Sequence, residues 1–344
     1  MTTLPEIDRT AVIGAGSWGT ALAKLLGDKG ERVSLWGRDQ EHIARLQTER
    51  QNSKYLPGAV LPEGVEPVTD LVKAVQEAQC VVMVVPSHGY RDIFTQLLDG
   101  LQEQALVVSA VKGIENDTLQ TMTQVMADIL EKKGHQRPVH LGVLSGPSFA
   151  AEVAKCQPTA VTVAFAEKAA AEGVQRLFST AFFRCYTSAD VIGLELSAAM
   201  KNVVAIAAGI CDGLGFGLNT RAALITRGLA EISRLGVKLG AHPLTFAGLG
   251  GLGDLVLTCT GDLSRNRTVG LKLGQGKTLA QALSEMTMVA EGVKTTKSCY
   301  NLARQHGVEM PILEQTYQVL YEHKDCRLAV QELFQRSLKE ELPV

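Results

Sequence analysis

The chain has 344 residues, 46% of them hydrophobic, with 34 Lys and Arg against 36 Asp and Glu for a formal net charge of -2. That length exceeds one ordinary core and points to two domains, each with enough apolar sequence to bury its own. Balanced charge without a long block of either sign argues against a nucleic-acid partner, and seven cysteines with no CxxC pair argue against a disulfide framework and fit a reducing cytoplasm.

The first 16 residues hold no basic stretch followed by a long apolar one and no small-residue cleavage site, so they do not read as a secretory signal. Residues 10–13 read as a β-strand and residues 18–28 as a helix. Between them Gly14-Ala15-Gly16-Ser17-Trp18-Gly19 matches G-x-G-x-x-G. In that context Gly14 permits a tight turn, Gly16 lets a pyrophosphate approach the backbone, and Gly19 allows close packing of helix on strand. The free N–H groups of the helix start then face the anion. A plain glycine turn is the alternative, and the register of strand, motif and helix favours dinucleotide binding.

The next strand, at 32–36, ends in Gly37-Arg38-Asp39 where an NAD-specific fold usually places an acid for the ribose 2′-OH. Arg38 suits a 2′-phosphate through a charge-assisted fork, or is a solvated loop arginine. NADP(H) is thus accepted, and Asp39 keeps NAD(H) open. Strands follow at 80–85, 106–110 and 140–145, with helices at 91–101 and 119–132. The alternation predicts an α/β doubly wound parallel sheet of the Rossmann type. Lys112 falls just past a strand end, where such sheets bind ligands. Ser145-Gly146-Pro147-Ser148 lacks the second glycine of a hydrolase nucleophile elbow. A last pair of β-like runs, 159–165 and 183–186, flanks a helix at 167–178 and completes the sheet.

From 190 onward the pattern turns helical, with helices expected at 191–210, 221–238 and 313–321. The domains are therefore placed at 1–189 and 190–344, the second mostly α-helical and carrying the substrate and the catalytic group. The most apolar run, 200–210, is shorter than the roughly 20 residues that cross a bilayer, so membrane insertion is not expected. Residues 193–205 are apolar nearly all round, which puts Lys201 and Asn202 inside the protein. Burial lowers a lysine pKa and lets the amine exchange a proton near neutral pH. The competing reading is a lysine that snorkels to solvent.

Gly248-Leu249-Gly250-Gly251-Leu252-Gly253 repeats the glycine pattern, but 242–247 before it is a poor strand and 254–257 after it is not an obvious phosphate-binding helix start. It reads as a flexible or closely packed loop, not a second dinucleotide site. Ser264-Arg265-Asn266-Arg267 precedes a helical segment; Ser264 can cap it while Arg265 and Asn266 aim donors at one anion, or the turn is simply a solvated basic helix start. The seven histidines are scattered without H-x-H or H-E-x-x-H spacing, so no metal is expected. Cys80 and Cys211 fall in apolar runs and read as core.

Taken together, GAGSWGTA from Gly14, AVKGIE from Ala110, LSGPSFA from Leu144, ELSAAMKN from Glu195, GLGGLGDLVLTCTGDLSRNR from Gly248 and VAEGVKT from Val289 resemble the bacterial NAD(P)-dependent sn-glycerol-3-phosphate dehydrogenases over essentially the whole chain. The resemblance implies reversible reduction of dihydroxyacetone phosphate with NADP(H) or NAD(H), supplying the glycerol backbone of phospholipids, in the cytoplasm and usually by a homodimer. It implies Lys201 as proton donor and acceptor with Asp254 beside it. Lys112, Gly146 and Ser148 would touch the substrate, and Ser264, Arg265 and Asn266 its phosphate. Ser17, Trp18, Arg38, Ala150, Val289 and Glu291 would line the cofactor side, with Arg265 and Lys112 reaching it too. Two rivals stand against this: a related β-hydroxyacid dehydrogenase, whose carboxylate clamp would also use arginine, and a regulator that binds NADPH without chemistry.

Overall fold

The computed structural model describes residues 6–286 and 290–341. Short apolar strands alternate with helices from the start: β1 (Arg9–Ile13), α1 (Ser17–Asp28), β2 (Arg32–Trp36), α2 (Gln40–Glu49), β3 (Val65–Val68), α3 (Leu71–Gln76) and β4 (Cys80–Met83). The alternation continues through α4 (Tyr90–Leu97), β5 (Ala105–Ser109), α5 (Met122–Lys132), β6 (Val139–Ser145), α6 (Ala150–Ala154), β7 (Thr159–Phe165), α7 (Lys168–Phe178) and β8 (Phe183–Ser188). Eight strands form one sheet in the order β3-β2-β1-β4-β5-β6-β7-β8, parallel except where β6 meets β7. As expected, β7 and β8 extend it.

Strands buried on both faces should be apolar at every position, and β4 (Cys80-Val81-Val82-Met83) is. Because side chains alternate, Cys80 and Val82 join Val12, Leu22 and Leu35 on one face, while Val81 and Met83 join Ile13, Phe94 and Met126 on the other. Strand β3 was not anticipated. Its Val65-Glu66-Pro67-Val68 is short and contains proline, which is tolerated because β3 is a sheet edge.

Some boundaries differ from expectation. The helix placed at 119–132 begins at Met122, since Leu119 is left-handed at φ 59° and Thr121 is the N-cap. The stretch 91–101 gives α4 and then a 3₁₀ turn at Leu98–Gly100. The strand at 80–85 stops at Met83.

After β8 the described residues are helical: α8 (Val191–Gly213), α9 (Leu218–Lys238), α10 (Asp254–Thr260), α11 (Arg265–Gly274), α12 (Leu279–Ser284), α13 (Glu291–Gln305), α14 (Pro311–Tyr321) and α15 (Cys326–Phe334). Helix α8 is the axis of this part, packed by α9, α10, α11, α13 and α14. It is 23 residues long with mean hydropathy 1.6, so by length and composition it could cross a membrane, contrary to the expectation drawn from 200–210. What distinguishes it is that 83% of that apolar stretch is buried within the fold. Helix α11 lies backbone against backbone on α8: a Cβ on Gly209 would sit 2.0 Å from the Arg267 carbonyl oxygen, and one on Gly270 1.9 Å from that of Ile206. This contact fixes the first turn of α11 close to the middle of α8.

Candidate active site

At the carboxyl end of β1 the chain turns at Gly14, whose φ of 129° disfavours an L side chain, and α1 starts at Ser17. The buried Asn52 holds the turn by donating to the Ala15 carbonyl at 3.1 Å and to Thr20 Oγ1 at 2.7 Å. Gly19 packs on the turn, since a Cβ there would lie 1.8 Å from the Gly14 oxygen. Gly16 differs: a Cβ there would meet no atom beyond its adjoining residues within 4 Å. The N-cap of α1 supplies no side-chain hydrogen bond, and the buried Trp18 Nε1 has no partner among the described residues. Open space, uncapped donors and a buried orphan N–H together fit a large anionic ligand on this turn.

That space is one cleft of about 560 Å³ beside the sheet, and the helical half supplies its other wall. Lys201, on α8, is 5% exposed. Its Nζ donates to Asp254 Oδ1 at 2.7 Å and to Thr258 Oγ1 at 2.6 Å, which spends two of the three ammonium donors. The Thr258 hydroxyl in turn donates to the Asp254 carbonyl at 2.6 Å. Lys112, past the end of β5, donates to Asp254 Oδ2 at 2.7 Å and to the Gly146 carbonyl at 3.2 Å. Burial pulls the Lys201 pKa down to about 8, assisted by the positive charge of Lys112 and opposed by Asp254. Burial works against the Asp254 charge, yet Lys112 and Lys201 outweigh it and hold this carboxyl below the usual carboxylate range. Two ammonium groups around one carboxylate leave a net positive charge at the cleft wall, the sign a phosphorylated substrate needs.

The anion turn forms as expected at one point and differently at another. Ser264 caps α11, its Oγ accepting from Arg267 N at 3.3 Å. Arg265 lines the cleft, and Arg267 turns away to pair with Asp212 and Asp262. Asn266, however, does not aim all its hydrogen bonds at an anion. Its Oδ1 accepts from Gly292 N and its Nδ2 donates to Asn202 Oδ1, both at 2.9 Å, while Asn202 Nδ2 donates to the Lys112 carbonyl at 3.1 Å. One amide N–H of Asn266 remains for a ligand. The result is a polar chain running from α13 through α11 and α8 to the loop that carries Lys112.

The cleft also receives Ser17, Trp18, Arg38, Ser148, Ala150 and Glu291. Ser148 Oγ donates to the Gly146 carbonyl at 2.9 Å, and Gly146 itself lies behind the cleft lining. Glu291 accepts from Ser87 N at 3.2 Å; burial pushes its pKa up, opposed by that hydrogen bond and by Arg265. Asp39 is occupied as the N-cap of α2, accepting from His42 N at 3.1 Å, with Lys54 Nζ 3.6 Å away. Val289 lies outside the described residues.

Thr258 was not anticipated. It lies four residues after Asp254 on α10, so the two share one helix face. An Asp-x-x-x-Thr spacing is the signal that could have found it. The Gly248–Gly253 string runs into α10 as a closely packed turn, as one of its two expected forms had it: a Cβ on Gly250 would sit 2.0 Å from Leu194 Cδ1 and one on Gly251 2.1 Å from the Phe246 oxygen.

Residues 9–171 match the family described as the N-terminus of NAD-dependent glycerol-3-phosphate dehydrogenase, and residues 190–331 match the one described as its C-terminus. A glycerol-3-phosphate dehydrogenase [NAD(P)+] of Desulfotalea psychrophila is 61% identical over 331 residues, 96% of this chain and 98% of the relative. One of Geobacter sp. strain M21 is 57% identical, covering 97% and 99%. The crystal structure of glycerol-3-phosphate dehydrogenase from Coxiella burnetii superposes with a TM-score of 0.92 at 39% identity, covering 96% of this chain and all of that one. The chain belongs to the NAD-dependent glycerol-3-phosphate dehydrogenase family.

Proposed function

We propose that this protein catalyses the reversible NAD(P)H-dependent reduction of dihydroxyacetone phosphate to sn-glycerol 3-phosphate. The observation that carries the proposal is that an amine 187 positions past Gly14 in sequence lies in the same cleft as the glycine turn, buried and paired with a carboxylate. The nicotinamide, when bound, supplies or accepts the hydride. Gly14, Gly16, Ser17, Trp18 and Gly19 hold the dinucleotide, with Ala150, Arg265 and Glu291 along its path. Arg38 reads a 2′-phosphate, a role supported by Asp39 being engaged as a helix cap.

Lys201 handles the proton. As an ammonium it donates to the carbonyl oxygen during reduction, and as a neutral amine it takes the hydroxyl proton during oxidation. Asp254 and Thr258 aim that amine, and Asp254 keeps enough of it protonated near neutral pH. Lys112 and Ser148, both donating to the Gly146 carbonyl behind them, position the carbon chain of the substrate. Ser264, Arg265 and the remaining Asn266 N–H take the phosphate, where a guanidinium gives a charge-assisted fork. The division between domains is placed at 189/190, supported by β8 ending at Ser188 and α8 starting at Val191. The reading extends to a cytoplasmic homodimer, without membrane insertion, that supplies glycerol phosphate for phospholipids.

The direct test follows NADPH absorbance on adding dihydroxyacetone phosphate, with NADH in parallel and a short oxoacid as competitor. Rapid oxidation with the phosphorylated ketone and little with the oxoacid is expected. Faster turnover of the oxoacid would instead assign a β-hydroxyacid dehydrogenase, and binding of NADPH without turnover of either would assign a regulator.

A further inference from the structure

Helix α8 carries a second buried charged group that the reaction does not use. Glu195 is 3% exposed, and its carboxylate sits on the first turn of α5: Oε1 accepts from Thr123 N at 2.8 Å and Oε2 from Thr123 Oγ1 at 2.5 Å. A carboxylate on the free N–H groups of a helix start is a favoured placement, because the donors there lack partners within the helix. Burial pushes the Glu195 carboxyl up and these hydrogen bonds oppose it. The cap comes from another helix, 72 residues away in the chain.

Seven residues on, two helical turns or about 10 Å along the axis, Asn202 lies on the same face of α8. It donates to the Lys112 carbonyl at 3.1 Å. One face of α8 therefore grips the connection between β5 and α5 at two points, Lys112 near its start and Thr123 just past its end. Between them Ser298 of α13 donates to the Ile114 carbonyl at 3.0 Å. Added to the packing of α8 by its neighbouring helices, two attachments to one connection set the axial register of α8 and turn this face toward that connection. Lys201 adjoins Asn202 on α8, and its amine must meet the Asp254 carboxylate whose other oxygen Lys112 holds.

We infer that Glu195 is a positioning residue: by capping α5 from α8 it sets the rotation of the lysine-bearing helix, and so the aim of the Lys201 amine between Asp254 and Thr258. This deepens the functional reading given above and rests on it. Glu195 does not line the cleft, so its loss acts on turnover rather than on dinucleotide affinity.

The experiment uses the full chain carrying Glu195→Ala, Glu195→Gln or Thr123→Val, with three readouts. These are kcat for dihydroxyacetone phosphate, the NADPH Kd, and the pH midpoint of Lys201 acetylation by competitive labelling without cofactor. Glu195→Ala is expected to lower kcat ten- to a hundredfold, keep the NADPH Kd within twofold, and move the labelling midpoint away from about 8. Glu195→Gln, which retains an acceptor for Thr123 N, is expected to restore most of both. A folded Glu195→Ala protein with parental kcat and midpoint overturns the inference. Should that variant not fold, Thr123→Val decides: a several-fold loss of kcat supports positioning, and parental kcat overturns it. A parent that does not turn over the substrate pair defeats the functional reading, while the labelling midpoints still test the positioning.

Discussion

Two segments of this chain obey the same G-x-G-x-x-G pattern, and their surroundings give them opposite work. In Gly14–Gly19 the middle glycine faces open space, so the backbone is bare toward the cleft. In Gly248–Gly253, Gly250 is filled against Leu194 of α8 and Gly251 against the Phe246 backbone, so the string closes a seam. That seam leads directly into Asp254 at the start of α10, whose carboxylate accepts from Lys201 on α8. A glycine pattern therefore says that backbone comes close to something; whether that something is ligand or protein is decided by what a Cβ would meet.

The contrast breaks most sharply under alanine substitution. Gly251→Ala places a Cβ 2.1 Å from a backbone oxygen that cannot rotate away, so it is expected to lose about 3 kcal/mol or more of stability, read as a lowered Tm. A parental Tm would show that the seam is loose. Within the cleft, Arg265→Ala should raise KM for dihydroxyacetone phosphate roughly 10- to 100-fold, the range of a lost charge-assisted clamp. The NADPH Kd should move far less, and equal KM values for phosphorylated and unphosphorylated ketones in the parent would refute the clamp.

Gly16→Ala sharpens the comparison from the other side. With no atom beyond the adjoining residues within 4 Å of the new methyl, Tm should stay within a degree or two, whereas NADPH Kd should rise roughly tenfold because the methyl occupies the path of the pyrophosphate. Loss of stability with unchanged affinity would make this turn a seam like the other. The smallest effect belongs to Arg38→Ala, which should lower the NADPH-to-NADH preference several-fold, since an exposed pair at the cleft edge is screened. An unchanged ratio would assign the 2′-phosphate to another group.

How much of this was legible in the sequence follows from how local each feature is. The first glycine turn was readable because strand, turn and helix adjoin in the chain. The burial of Lys201 was readable because apolar residues surround it on every side of a helix. By contrast, Thr258 and the Glu195 cap depend on which helix faces which, and β3 hides a proline and a glutamate inside a four-residue edge strand. Asn266 looked like a pure anion donor because its partners, Asn202 and Gly292, lie 64 and 26 residues away. The resemblance did place Asp254 beside Lys201, which local pattern could not, but it carried no sign of Thr258, the Glu195 cap or the partners of Asn266.

The account stands on Lys201 as the group that moves the proton inside the cleft. The most direct test is turnover of dihydroxyacetone phosphate with saturating NADPH by Lys201→Ala, alongside its NADPH Kd. General acid–base catalysis contributes roughly 10²- to 10⁴-fold, so kcat should fall by about that factor while the Kd stays within about twofold of the parent. A variant that binds NADPH normally and keeps kcat near the parental value would contradict the assignment.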